Sequence, residues 1–488
     1  MNKQKWIEHI NTWKKFLLTC LSETDDVGEK TRIERQIRTI ERARCGAVLS
    51  PELLSEFINP SSPADYTPIV DTPYLNLNVS QLEAVKMALG DSPLSLIKGP
   101  PGTGKTQVIA EICLQLIKVN PEIRILICSE THVAVNNLIA RISDINNQIR
   151  IVRIRDKEND ALVDEHSPET IISSMLKWAK TNSYAEDAYG IIESELSDAN
   201  DKSLEKALAL SANIVGITCN RLSSYDFRDS TEMFDVAIID EVCKATLPEI
   251  LAPLLVSRKA VLLGDPNQLP PVFCSEELDV IRRIDQCDLN KFMYIDELMK
   301  TSERVVTLDT QYRMCCEIAS MISSVFYDGL LINGRDSSNS DSLKWITYSP
   351  TNPWPICSED SDRPQVFNED ECRIIKELVD EINSKGKSDS IAVISPYRAQ
   401  IRYLKKHLGS VDNVMIDTVD GFQGKEVNTV IFSLTRTHGS YRFLADSRRL
   451  NVALSRARNN IIIVGEADYS HSNPLLNTIM DYFTISNM

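Results

Sequence analysis

At 488 residues, with 43% hydrophobic and 25% charged residues, the chain has a soluble globular composition and is too long for one ordinary core. Roughly two to four domains are expected. No apolar run approaches the roughly 20 residues of a membrane span, and the polar start Met1 to Leu18 lacks the apolar core of a secretion signal. These features exclude membrane and secreted classes and point to a cytoplasmic or nuclear protein. The 12 cysteines are scattered with no C-x-x-C pair, which reads as reduced thiols rather than a disulfide frame or zinc site. A net charge of −16 argues against a surface coated for nucleic acid. Charge is nevertheless segregated: Arg436 to Arg458 holds six arginines and one acid, Asp446, so a local basic groove is compatible with the total.

Residues 1 to 60 read as helices. Trp6, Ile10, Trp13 and Leu17 share one helical face, and Ile33, Ile37 and Ile40 make a second stripe. The four prolines between Pro60 and Pro73 mark a linker. Leu77 to Gln81 leads a short helix, and the amide of Gln81 is suited to pair with an adenine edge.

Leu94 to Lys98 has strand character and runs into Gly99-x-x-x-x-Gly104-Lys105-Thr106, followed by a helix-like run from Gln107 to Val119. Backbone N–H groups of such a loop, helped by the helix dipole, wrap an anionic phosphate. Within it Gly99, Pro100, Gly102, Thr103 and Gly104 form the cradle. Lys105 is placed to reach β- and γ-phosphates and Thr106 to ligate Mg²⁺. A nucleoside triphosphate site follows.

Arg124 to Cys128 and Ile149 to Ile154 read as strands, with Thr131, His132 and Asn136 on an intervening helix start. From about 158 to 210 the chain turns helical and acidic, an insertion in an α/β pattern that resumes with the strand Asn213 to Thr218. Phe234 to Ile239 is an apolar run, interrupted at Asp235, that ends in Asp240 and Glu241. Such runs belong to sheets covered on both faces, and acids at their C-terminal ends lie where open α/β sheets bind ligands. Asp240 is a candidate Mg²⁺ holder and Glu241 a candidate for polarising the attacking water. Ala260 to Gly264 is a further strand, ending in a Gly- and Pro-rich loop whose Gln268 is a candidate γ-phosphate sensor.

A second strand–helix series is expected from near Val305, with no second phosphate loop. Asp328 to Asp370 reads as polar and irregular. The expected organisation is therefore a helical segment with linker at 1–76, an α/β domain at 77–300 carrying the helical insert, and a second α/β domain at 301–488.

This second half carries four ordered boxes: Gln311-Tyr312-Arg313, Ser395-Pro396-Tyr397-Arg398-Ala399-Gln400, Asp417 to Glu426, and Arg448 to Arg458. With the motifs above they resemble superfamily 1 helicases of the Upf1-like group, over roughly Leu77 to Gly465 outside the insert. The resemblance implies two tandem RecA-like P-loop NTPase domains with ATP and Mg²⁺ bound in the cleft between them. It implies that Arg313 and Arg456 are arginine fingers, offsetting charge on the transferred phosphoryl group. It implies that Gln81 and Tyr312 frame the base and that Glu426 bonds the ribose. For a single strand of RNA or DNA, the matching positions are Thr131, His132, Thr218, Ser395, Pro396, Tyr397, Thr418 and Arg436. The implied activity is an ATP-dependent helicase or translocase moving 5′ to 3′. The alternative is an ATP-gated clamp or nucleoprotein remodeller.

The chain departs from the family pattern in places. Residues 1–76 look too short and too helical for the β-barrel such proteins usually carry ahead of the phosphate loop, while the 158–210 insert matches the place of another accessory domain. His132 stands where Asn is commoner and Lys244 where Gln is usual. No zinc module or nuclease motif is evident, so any cutting would need an accessory protein.

Overall fold

In the computed structural model the described residues are 3–60, 67–68, 72–155, 165–181, 201–223, 234–285, 292–302, 304–351, 356–357, 366–384, 389–422, 424–441 and 444–487. They form two compact units. One holds Met1–Lys98, Lys105–Pro266 and Pro270–Leu308; the other holds Gly99–Gly104, Asn267–Leu269 and Asp309–Met488. No helix among the described residues is long and apolar enough to cross a membrane. Most of the linker at Pro60 to Pro73, about half of the insert at 158–210, and Trp354 lie outside the described residues; the described part of the insert holds the helices Pro168–Thr181 and Asp201–Ser211.

The first unit is built on strands β1 (Leu94–Lys98), β2 (Ile125–Ser129), β3 (Ile151–Arg153), β4 (Ile214–Thr218), β5 (Phe234–Ile239), β6 (Ser257–Gly264) and β7 (Val305–Thr307). They make one parallel seven-stranded sheet in the order β3-β4-β2-β5-β6-β1-β7. Strands β1, β2, β4 and β5 are almost wholly buried along their length, as expected for a sheet covered on both faces. The register Leu96↔Val305 puts β7 in this sheet. The segment near Val305, expected to open the second series, therefore closes the first.

The N-terminal helices Lys3–Glu23, Val27–Cys45 and Pro51–Ile58 pack into the same unit. Trp13 and Phe16 meet Phe273 and Phe292 edge-on or tilted, with centroids 5.0–6.1 Å apart. Each such pair adds about 0.5–1.5 kcal/mol beyond burial. Tyr294 donates its hydroxyl to the Phe57 carbonyl at 2.8 Å, and Arg304 pairs with Glu56 at 2.6 Å. Farther along, the buried Glu111 on the helix after the phosphate loop accepts the Tyr74 and Leu75 N–H groups at 3.0 and 2.9 Å. This fixes the entry to the helix that carries Gln81.

The second unit contains short pairs β8 (Thr310–Gln311) with β9 (Ile332–Asn333) and β11 (Ile356–Cys357) with β12 (Val366–Phe367). Its main sheet has β10 (Leu343–Thr347), β13 (Ile391–Ile394), β14 (Val414–Asp417), β15 (Val427–Ser433), β16 (Ala457–Val464) and β17 (Thr484–Asn487) in the order β14-β13-β15-β16-β10-β17. Strand β10 corrects the expectation that Asp328 to Asp370 is irregular. Its partners lie far along the chain, Leu343↔Ile461 and Lys344↔Thr484, so pairing rather than local pattern makes it a strand. Trp345 within it is fully buried and donates Nε1–H to the Gly465 carbonyl at 3.0 Å.

Candidate functional site

The phosphate loop follows β1 and ends at the helix Lys105–Val119. Gly102 and Gly104 have φ of 74° and 80°, a region that disfavours side chains. A Cβ on Gly102 would also come within 2.7 Å of the Arg313 Cβ. Thr103 closes the loop by donating its hydroxyl to the Pro100 carbonyl at 2.8 Å. The Gln311-Tyr312-Arg313 segment packs here, since the Tyr312 N–H donates to the Gly102 carbonyl at 2.9 Å.

At the end of β5, Asp240 is buried and accepts the Glu241 N–H at 2.9 Å. Glu241 itself has φ of 57°. Burial and the neighbouring Glu241 charge push Asp240 up to about 6, against the pull of Lys105. A buried carboxylate beside the half-buried Glu241 is chemistry that fits a divalent cation. Among the described residues no group of three or more His, Cys, Asp or Glu could hold a metal. Asp240 and the Thr106 hydroxyl are the residues here that could hold Mg²⁺, which takes one or two protein oxygens and completes its shell with water and substrate phosphates.

Gln268 and Arg456 are brought together, Nη2 to Oε1 at 3.5 Å, and both are buried. Arg456 is fixed by donating Nε–H to the Val452 carbonyl at 2.8 Å. Asn451 secures the Gln268 loop by donating to the Asn267 carbonyl at 2.7 Å.

Arg313 and Glu426, expected to have separate roles, form an ion pair at 2.5 Å. Arg313 also donates Nη1–H to the Ser455 carbonyl at 2.9 Å, and Arg458 bonds the other Glu426 oxygen at 2.8 Å. Burial alone would raise Glu426, but Arg313 and Arg458 outweigh it and hold it below the usual carboxylate range. Gln311 is fully buried and accepts the N–H groups of Arg313 and Met314 at 2.8 and 2.7 Å, fixing the turn that presents Tyr312 and Arg313. Tyr312 is 45% exposed, with its ring against Gly334. Gln81 is only 2% exposed. Its Oε1 accepts the Asn78 N–H at 3.0 Å in a capping box, so the residue holds its helix start.

The positions expected to meet a strand sit at C-terminal strand edges. In the first unit Thr131 follows β2 and Thr218 ends β4, its neighbour, with Ser129↔Thr218 in register. Each caps a helix, Thr131 accepting the Ala134 N–H and Thr218 the Arg221 N–H, both at 3.3 Å. The nucleotide motifs follow β1, β5 and β6 of the same sheet, so its order separates the two groups of residues. In the second unit Ser395, Thr418 and Arg436 follow the neighbouring strands β13, β14 and β15. Thr418 is held by its N–H on Asp417 at 2.7 Å, and Pro396 is half-buried between Ser395 and Tyr397.

Two residues that motif reading passes over anchor these edges. Arg153 on β3 is fully buried. It donates Nε–H to Asn136 Oδ1 at 2.8 Å, Nη1–H to the carbonyls of Gly216 (3.2 Å) and Ile154, and Nη2–H to His132 Nδ1 at 3.0 Å. A guanidinium has no acceptor, so His132 Nδ1 must accept and the proton of the neutral ring sits on Nε2. The signal is a lone arginine inside the apolar run Ile151 to Ile154. In the second unit Glu371, on the helix Glu369–Ser384, accepts the Thr435 N–H on both oxygens at 2.9 Å and the Tyr348 hydroxyl at 3.0 Å. Thr435 has φ of 68°, which costs a β-branched residue about 1–3 kcal/mol.

Two family models described as AAA domain match the chain, one over residues 76–202 and 181–276 and the other over 291–468. DNA polymerase alpha-associated DNA helicase A of Saccharomyces cerevisiae is 30% identical, over 80% of this chain and 65% of that protein. The regulator of nonsense transcripts 1 homolog of Drosophila melanogaster is 30% identical, over 85% of this chain and 36% of that protein. DNA-binding protein SMUBP-2 of Rattus norvegicus is 28% identical, over 98% of this chain and 51% of that protein. The chain thus spans between about a third and two thirds of the length of these relatives. With two α/β sheets, the phosphate loop, the Asp240–Glu241 pair and the four boxes of the second half, the chain belongs to the Upf1-like group of superfamily 1 helicases.

Proposed function

We propose that the chain is an ATP-dependent helicase or translocase that steps along single-stranded RNA or DNA in the 5′ to 3′ direction. The observation that carries this reading is the segregation along the sheets. Phosphate-loop, acid and sensor residues follow β1, β5 and β6, whereas hydroxyl and basic residues follow β2, β4, β13, β14 and β15. ATP is the substrate, with Gly99 to Gly104 and Lys105 around its phosphates and Gln81 and Tyr312 at its base. Thr106 and Asp240 would hold Mg²⁺, which when bound neutralises charge on the phosphate oxygens. Glu241 orients the attacking water and accepts its proton. Arg313 and Arg456 offset charge on the transferred group, and Gln268 reports its presence to Arg456. Glu426 exchanges its arginine partners for the ribose when ATP arrives. Thr131, His132, Thr218, Ser395, Pro396, Tyr397, Thr418 and Arg436 bind the strand backbone without reading bases.

Lys105→Ala and Glu241→Gln are expected to abolish strand-stimulated ATP hydrolysis; hydrolysis persisting in both overturns the enzyme reading. A forked duplex with a 5′ tail is expected to open only with ATP. Hydrolysis without opening favours a clamp or remodeller instead. Running both assays with RNA and with DNA identifies the polymer, since RNA preference requires contacts to the 2′-hydroxyl.

A further inference from the structure

We infer that Glu371 is a positioning residue for strand binding: from inside the second unit it holds Thr435 in its left-handed conformation and so aims Arg436 and the Ser395–Tyr397 loop at a single-stranded phosphodiester backbone. The inference rests on the strand-binding reading of Arg436 and Tyr397. Glu371 itself is 0% exposed and cannot touch a ligand.

The geometry leaves Thr435 little freedom. Its N–H donates to both Glu371 oxygens at 2.9 Å, and its carbonyl accepts Asn368 Nδ2–H at 3.2 Å. Its hydroxyl lies 3.0 Å from Ser395 Oγ and 3.2 Å from Ser433 Oγ. The carboxylate is itself fixed by the hydroxyls of Tyr348 and Ser433, and Asn368 Oδ1 accepts the Glu371 N–H at 3.1 Å. Gln400 then ties the next helix in, donating to Ser433 Oγ at 3.0 Å and accepting the Asn368 N–H at 2.8 Å. A left-handed threonine persists only where its surroundings over-determine it. Here they do.

The consequence passes one residue along the chain. Arg436 donates Nε–H to the Tyr397 hydroxyl at 2.8 Å, and its guanidinium stands 5.4 Å from that ring's centroid. The Tyr397 N–H in turn donates to Ser395 Oγ at 3.3 Å. Thr435 therefore joins the two segments expected at the strand, and the carboxylate of Glu371 sets where they meet. Loss of that carboxylate lets Thr435 relax to negative φ and swings the direction in which Arg436 leaves the backbone.

The test is a double-mutant cycle on strand affinity, read by anisotropy of fluorescein-labelled oligo(dT) and oligo(U) of about 15 nucleotides. Glu371→Gln is nearly isosteric but keeps only one acceptor oxygen, so the Thr435 N–H loses one of its two partners to an amide NH₂. It is expected to weaken binding about tenfold, a loss of about 1.4 kcal/mol. In an Arg436→Ala background the same change is expected to cost less than about twofold, because the residue it acts through is gone. The half-saturating strand concentration for ATP hydrolysis should rise in proportion, with the rate at saturating strand retained. A purely structural role predicts equal losses in both backgrounds, and that result overturns the inference. An Arg436→Ala loss with no Glu371→Gln effect overturns it too, while leaving the strand reading intact. No effect of Arg436→Ala itself removes the strand reading and the inference with it. Should Glu371→Gln fail to fold, Asn368→Ala, which removes the donor to the Thr435 carbonyl, takes its place in the cycle.

Discussion

Arg153 in the first unit and Glu371 in the second are both fully buried, and each is tied to residues expected at a nucleic-acid strand. They have opposite charge, and the consequences differ. Arg153 donates to an amide oxygen, a ring nitrogen and two backbone carbonyls. A guanidinium cannot shed its proton in a protein, so it must be hydrogen-bonded at every pH. Glu371 accepts from a backbone N–H and two hydroxyls, yet a carboxylate has a second way to survive burial: it can take up a proton. Burial indeed pushes it up to about 7, against the pull of Ser433, Thr435 and Tyr348. The first anchor is permanent and the second is titratable.

The largest expected effect is at the permanent anchor. Arg153→Met removes every donor while keeping much of the bulk, leaving Asn136 Oδ1 and two buried carbonyls to lose partners. Charged hydrogen bonds are worth about 1.5–3 kcal/mol each, so a loss of about 4 kcal/mol is expected in the first unit. Amide exchange at Val152 and Val215 measures it. Arg153→Lys should recover only part, because an ammonium lacks the planar fork that reaches several acceptors at once. Full recovery would mean that charge, not fork geometry, matters at this position.

How much of this was legible in the sequence follows from distance along the chain. The phosphate loop and the Asp240–Glu241 pair were readable because each is a local strand-to-loop transition, and their sheet context followed from mainly apolar runs. The two-sheet α/β fold was readable for the same reason. The anchors were not. Arg153 finds partners 17 and 63 residues away, and Glu371 finds Thr435 at a separation of 64. No local period encodes such contacts. Asn368-x-x-Glu371 at a helix start reads as ordinary capping, and only the fold shows that the carboxylate points at Thr435. Gln81 and Glu426 show the reverse case. The resemblance implied nucleotide roles for both, whereas their bonds in the protein alone are a helix cap and a pair of arginines.

The titratable anchor yields a smaller and pH-dependent effect. Glu371 has a folded value of about 7, above the 4.5 of an ordinary glutamate, so between those values the folded chain holds a proton that the unfolded chain has released. Its contribution to stability is fully present below about pH 4.5 and is lost as pH rises through about 7, a change of about 3 kcal/mol at most. Asp370, Cys372, Tyr348 and Tyr397 are the other titratable groups coupled to it. Amide exchange at Ile431 and Phe432, corrected for intrinsic rates, should therefore show falling stability across this window. Glu371→Gln should flatten that fall. A slope unchanged in the variant would assign it to other groups and remove the contrast with Arg153.

The smallest effect probes whether the permanent anchor can be improved. Asn136 is half-buried and gives Arg153 a neutral oxygen at 2.8 Å. Asn136→Asp substitutes a charged acceptor of the same shape on the helix His132–Ile145. A gain of about 1 kcal/mol is expected at neutral pH. The new carboxylate would titrate below its unfolded value, so the gain should be present above about pH 4 and lost as pH falls through the lower folded value. Its sign is thus opposite to that of Glu371, which gives the two anchors mirror-image pH profiles in one protein. Lower stability at pH 7 would mean that removing the new carboxylate from water costs more than the ion pair returns. In that case the neutral amide is the better partner for this buried arginine.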